Sequence, residues 1–391
     1  MNTILHKLKG DRVIWMTALF LGLISLLAVY SSISSLAFKR EGGSTLHFLA
    51  KHGMMLAGGG VIMFYASRVR YTLYSKLSQI AIPITGGLLL LTLLLGSNIN
   101  DASRWITIPI INQSFQTSDL AKVVLVVYLA RVLGKQQDQE WTFRDVLVKL
   151  MLPVGAICGL ILPANFSTAA LLFLVCLIIM FIGQVPMRHM VMLMGAAVLA
   201  FSLLLLIAKS QPGLLPRLDT WITRIESFGA QDSDANYQVE HAKIAIASGG
   251  LMPNGPGSGA SRNWLPHPYS DMIYAFIIEE YGSILGGLGL LLLYLILLLR
   301  SVRIAGQCEK PFGSLVAIGL SLMLVLQAMI NMAVAVNLVP VTGQPLPLVS
   351  MGGTSVWFTC LAIGIVLSVS RSLEEPSTAS TDVKRPRTAV A

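Results

Sequence analysis

The chain has 391 residues, 54% of them hydrophobic and only 12% charged, with a mean hydropathy of +0.72. That balance excludes a soluble domain of this length and defines a polytopic membrane protein. The formal net charge of +9 does not point to nucleic acid, because the basic residues are scattered between apolar spans instead of gathering on one face.

About 20 apolar residues at about 1.5 Å rise cross the hydrocarbon core of a bilayer. By that rule residues 1–12 are a short basic start and a membrane domain follows over 13–371. It holds ten spans, near 13–34, 50–67, 77–95, 118–134, 147–163, 168–185, 189–208, 271–299, 313–336 and 353–370. The first span is too long for a cleaved signal segment, lacks an A-x-A exit, and is expected to remain as a helix. Only the turn from Pro163 to Ser167 separates spans five and six, which predicts a tight helical hairpin. Cys158, Cys176, Cys308 and Cys360 lie in or beside spans without a CxxC pair, so no disulfide framework or metal ligand set is implied.

Spans seven and eight are joined by a long polar segment, 209–270. Within it TWITRIESF has the spacing of a short interfacial helix. NYQVEHAKIAIASGG predicts a second short helix ended by Gly249 and Gly250, and NGPGSGAS reads as a glycine-rich hinge. That stretch lacks the Gly-Lys-Ser ending of a phosphate-binding P-loop. Between spans nine and ten, Pro340, Gly343, Pro345, Pro347, Gly352 and Gly353 interrupt a hydrophobic run. Non-helical backbone at membrane depth survives only against protein or a water-filled cavity, so an ordered re-entrant or cavity-lining loop is expected there. The tail over 372–391 carries no apolar periodicity and reads as disordered.

Lys and Arg decide the orientation. With the N-terminus inside, Lys7, Lys9, Arg12, Arg68, Arg70, Lys76, Arg131, Lys135, Arg300, Arg303 and Arg371 are cytoplasmic. The short outer loops and span ends hold only Lys39, Arg40, Lys51, Arg104 and Lys122. Both termini are then cytoplasmic, and the one large extracytoplasmic loop joins helices 7 and 8. The 96–117 and 338–352 segments face the same side.

Asp271 stands where the long loop enters span eight, in WLPHPYSDMIYAFIIEEYG. Ser270 is a good N-cap, and an acidic first-turn residue gains roughly 0.3–1 kcal/mol from the helix dipole. The alternative is a general base or charge stabiliser at headgroup level. Glu279 and Glu280 follow about 12–14 Å down the same helix. Ionised carboxylates at that depth are costly, so both are expected to face the bundle interior and pair, with Arg104 or Lys122 as candidate cations. The same two cations suit a pyrophosphate equally well.

Seven segments, in order, resemble the SEDS family (shape, elongation, division and sporulation proteins). They are ASRWI at 102–106, QTSDLAK at 116–122, STA at 167–169, YQ at 237–238, SGG at 248–250, LPHPYSDMIYAFIIEEYG at 265–282 and NLVPVTGQPLPLVSMGGTS at 337–355. The likeness covers roughly 13–372 and looks closest to the FtsW branch. It implies a glycosyltransferase of the cytoplasmic (inner) membrane that polymerises lipid II onto an undecaprenyl-linked glycan chain at the septum. Partners so implied are a class B penicillin-binding, FtsI-like transpeptidase and other divisome membrane proteins.

Asp271 matches the essential aspartate of the family. Arg104 and Lys122, with Ser270, match positions expected to hold substrate pyrophosphate, and Glu279, Glu280, Gln238, Pro340, Gly343, Ser350, Gly352 and Gly353 are expected to support them. Mg or Mn is a candidate divalent cofactor. Where some members carry a second acid this chain has Asn263, and Thr342 stands where a Lys is frequent. A lipid II flippase, which would lean on Glu279 and Glu280, a RodA-like elongation enzyme, and a non-catalytic scaffold for a transpeptidase stay open at this point.

Overall fold

A computed structural model describes residues 9–33, 45–95, 97–99, 102–108, 113–137, 139–210, 224, 228, 237–265 and 268–374, with backbone alone over 97–114 and 207–210. Among the described residues ten helical rods overlap the segments expected as spans. They are α1 (Arg12–Ser32), α2 (Thr45–Arg68), α3 (Tyr71–Leu95), α4 (Thr117–Lys135), α5 (143–161), α6 (Phe166–Ile182), α7 (Met187–Ser210), α9 (Ile273–Gln307), α10 (Pro311–Ala335) and α11 (Ser355–Glu374). The short α8 (Tyr237–Gly249) is the second predicted loop helix. TWITRIESF lies mostly outside the described residues, as do 1–8 and 375–391.

Six of the rods, α1, α3, α7, α9, α10 and α11, are long and apolar enough to cross a membrane. The chain therefore has the fold of an all-helical, multi-span membrane protein. Its core includes α4, buried along most of its length, and α10 and α11, each with 67% of its apolar window buried, whereas α7 has 11% buried and lies at the rim. Where α2 crosses α11, glycines let the backbones meet: a Cβ on Gly364 would lie 2.7 Å from the Ala66 Cβ.

Local chemistry sets the helix ends. The Asp11 carboxylate caps α1, accepting from the Val13 and Ile14 N–H groups at 2.8 and 3.1 Å. Asn165 caps α6 in the tight hairpin through the Thr168 N–H, at 3.3 Å. In α9 the helix breaks at Gly282, which has φ +73°, and continues through a π-helical Gly282–Leu288.

One feature departs from helix. The stretch between α3 and α4, expected as a loop, forms an antiparallel meander of β1 (Ser97–Ile99), β2 (Ala102–Ile108) and β3 (Gln113–Gln116). Trp105 pairs with Gln116 and Ile108 with Gln113. Trp105, Ile106, Thr107 and Ile108 are good strand formers, and the two short connections suffice for a meander.

The loop segments sort to the two ends of the bundle. At one end the Ser167 hydroxyl donates to the Thr342 carbonyl (3.1 Å), Arg224 to the Val341 carbonyl (3.0 Å) and the Met351 N–H to the Tyr269 carbonyl (2.9 Å). Phe115, at the exit of the sheet, packs edge-on against Phe358 with ring centres 5.3 Å apart. At the other end Arg300 grips Asp11, and the Gly10 N–H donates to Glu374 at 3.0 Å.

Candidate active site around Asp271

Asp271 does not cap its helix. Residues 268–272 form turns, α9 begins at Ile273, and its N-cap is Met272 with no side-chain cap bond. The expectation that Ser270 would be the N-cap is thus corrected. Extra turn residues carry the chain past Ser270 because its backbone is held elsewhere: the Ser350 hydroxyl donates to the Ser270 carbonyl at 2.7 Å. The Ser270 hydroxyl instead donates to Asp271 Oδ1, at 2.7 Å. Among the described residues no cation pairs with Asp271. Its carboxylate is half-buried and therefore within reach of a ligand from the loop side.

Much of the 338–354 backbone is tied to neighbouring helices by hydrogen bonds, as non-helical backbone among apolar helices requires. Ser350 also accepts from the Leu346 N–H at 2.7 Å. Ser25 on α1 donates to the Val349 carbonyl at 2.8 Å, and Tyr294 on α9 donates to the Pro347 carbonyl. Gly343, with φ +64°, faces Asp271 directly, since a Cβ on it would lie 3.6 Å from Oδ2. Pro340 and Gly352 are half-buried on the rim of this loop, and Gly353 turns the chain into α11 with φ +54°.

Lys122 sits on α4, 5% exposed, in an ion pair with Asp119 at 2.8 Å. It also donates to Gln327 Oε1 at 2.9 Å. Two of its three N–H donors are used, which leaves one. Arg104 lies on β2, and its side chain is outside the described residues. Gln238 lies half-buried in the first turn of α8.

Glu279 and Glu280 do face the interior, at 6% and 0% exposure. Lys122, however, is not their partner. The described partners are N–H groups of the glycine-rich stretch: Ala260 and Ser261 donate to Glu279 Oε1 (3.0 and 3.1 Å), and Gly257 to Glu280 Oε1 (2.9 Å). The Ser261 and Ser31 hydroxyls add one bond to each glutamate. A run of glycines can turn successive amides toward one anion, so the stretch read as a hinge is a carboxylate cradle.

Two amides within span nine escaped sequence reading. Gln327 and Asn331 lie on α10, buried to 2% and 1% exposure. Gln327 donates to the Pro345 carbonyl at 2.9 Å. Asn331 donates to the carbonyls of Asp271 and Gln344 at 2.8 and 2.7 Å. The Gln344 side chain then reaches Thr168 on α6, at 2.6 Å. The signal was present: polar side chains four apart in an apolar span share a face and need partners. Among the described residues no three His, Cys, Asp or Glu side chains converge as a metal site.

The fold defines a multi-span membrane protein with a loop-capped cluster of polar side chains at one end of the bundle. A family model described as cell cycle protein, FtsW/RodA/SpoVE, matches residues 11–375. A probable peptidoglycan glycosyltransferase FtsW of Geobacter sulfurreducens is 31% identical over 374 residues, covering 94% of this chain and 96% of the relative. Stage V sporulation protein E of Bacillus subtilis is 32% identical over 372 residues, 93% of this chain and 98% of its own. In fold, the chain is similar to one from a structure of a peptidoglycan synthase complex that coordinates polymerization and crosslinking, with TM-score 0.68, 24% identity, and 94% and 99% coverage. Rod shape determining protein RodA of Thermus thermophilus gives a TM-score of 0.67 at 22% identity, with 94% and 98% coverage. The chain belongs to the FtsW/RodA/SpoVE family.

Proposed function

We propose that this protein is a peptidoglycan glycosyltransferase that polymerises lipid II at the outer face of the cytoplasmic membrane, for septal wall synthesis in cell division. Family membership supplies the reaction class. The observation that carries the site is Asp271: a half-buried carboxylate at a loop-to-helix junction, neither capping its helix nor ion-paired among the described residues.

All ten rods span the bilayer in this reading, both termini are cytoplasmic, and 209–270 is extracytoplasmic, in keeping with the distribution of Lys and Arg. Asp271 takes the proton from the attacking sugar hydroxyl of the acceptor lipid II. The hydroxyl oxygen bonds to the anomeric carbon of the donor chain, and the bond to undecaprenyl pyrophosphate breaks. Lys122, through its remaining donor, and Arg104 on β2 take up charge on the departing pyrophosphate. A divalent ion fits the chemistry of the site through the Asp271 carboxylate together with substrate phosphates, as Mg is commonly held, and when bound would supply further neutralisation. A class B transpeptidase crosslinks the emerging strand, with other divisome membrane proteins alongside.

A flippase would lean on free glutamates within the bundle, and Glu279 and Glu280 are engaged by the 257–261 cradle. The test is polymerisation of lipid II by the purified protein, with and without a class B transpeptidase. Asp271→Asn should lower the rate by about 10²–10⁴-fold in folded protein. An Asp271→Asn variant that polymerises at the wild-type rate sinks the assignment.

A further inference from the structure

Asn331 is buried near the C-terminal end of α10, where it touches the site from beneath. Its Nδ2 divides two donors between chain segments far apart in sequence: the Asp271 carbonyl at 2.8 Å, at the entrance to α9, and the Gln344 carbonyl at 2.7 Å, in the loop after α10. One turn earlier on the same face, Gln327 repeats the pattern, donating to the Pro345 carbonyl while accepting from Lys122. Together the two amides peg the 343–345 backbone to α10, and Asn331 pegs Asp271 to the same rigid helix. Gly343, the residue facing Asp271 Oδ2, is the immediate neighbour of Gln344. One planar amide therefore joins Asp271 itself to the residue next to Gly343, beside the Ser350–Ser270 and Met351–Tyr269 bonds that tie the preceding turn to the far end of the loop.

We propose that Asn331 is a positioning residue for glycosyl transfer, holding Asp271 at its working distance from the Gly343 face of the loop through the two backbone carbonyls. The inference rests on the glycosyltransferase reading and adds a residue that never meets substrate. A carboxyamide suits the task because it supplies two N–H donors in one plane on a short stem. Asp at the same position has nearly the same shape but offers acceptors where two carbonyls need donors.

The test compares wild type, Asn331→Asp, Asn331→Ser and Asp271→Asn, each purified and normalised for folded protein by its melting profile, in lipid II polymerisation. A base misplaced by about 1 Å loses roughly 100-fold in rate. Asn331→Asp is accordingly expected to lose kcat by about that factor, with KM for lipid II changed less than about threefold. Asn331→Ser, too short to reach either carbonyl but adding no charge, keeps a foldable site and is expected to fall between Asp and wild type. Wild-type kcat in folded Asn331→Ser, or a loss confined to KM, overturns the proposal. If Asp271→Asn is itself fully active, the underlying reading fails instead, and the two failures are told apart.

Discussion

Gly343 presents its bare Cα to the Asp271 carboxylate, close enough that a Cβ would stand 3.6 Å from Oδ2. The same residue sits in the left-handed region, φ +64°, where an L side chain is strained. Gly343→Ala is therefore expected to cost about 1–2 kcal/mol in stability and to put a methyl group against the Asp271 carboxylate, on the face where the proposed substrate binds. Thermal unfolding in detergent and a polymerisation rate read both effects, and the rate should fall more than the stability loss explains.

Asp119 and Lys122 are both nearly buried, so removing either partner strands a charge. Asp119→Asn or Lys122→Met alone is expected to destabilise by about 3–5 kcal/mol. The double variant should be more stable than either single one, which a double-mutant cycle of melting curves checks. Equal losses that simply add would mean that the pair carries no coupling.

Glu279 holds the 260–261 amides and the Ser261 hydroxyl. Hydrogen bonds to a charged acceptor contribute about 1.5–3 kcal/mol each, so Glu279→Leu should release the local fold of the stretch. Amide exchange at 260 and 261 is expected to accelerate by at least about tenfold, with little change in α10. Unchanged protection there would rule out the cradle as the anchor of this segment.

At the opposite end, Asp11 caps α1 while receiving both Nε and Nη2 of Arg300. Asp11→Ala is expected to cost about 1–2 kcal/mol, through the cap and the charged contact together. Polymerisation per folded molecule should be unchanged, since the clasp lies across the bundle from Asp271. Arg300→Lys should not restore what Arg300→Ala removes, because the ammonium cannot reproduce the forked contact.

Helix positions were legible because an apolar run of span length has few alternatives, and α8 because Gly249 and Gly250 mark its end. The inward facing of Glu279 and Glu280 followed from the cost of charge at depth. Their partners did not follow, because backbone amides leave no trace in residue identity. The β1–β3 meander was hidden for a related reason: its pairing joins segments whose register only the fold sets. Ser270 looked like a cap until Ser350, eighty positions away, was seen to hold its carbonyl. Gln327 and Asn331 were visible as polar residues in a span, but their significance depends on carbonyls that α10 meets only in three dimensions.

The cradle at 257–261 has a consequence for ligand choice. An amide nest open to solvent would compete for any phosphate passing the membrane surface; this one carries two resident carboxylates on an adjoining helix and so is already saturated. If the proposed reaction holds, the pyrophosphate it releases finds no parking place there, and product has one fewer reason to linger.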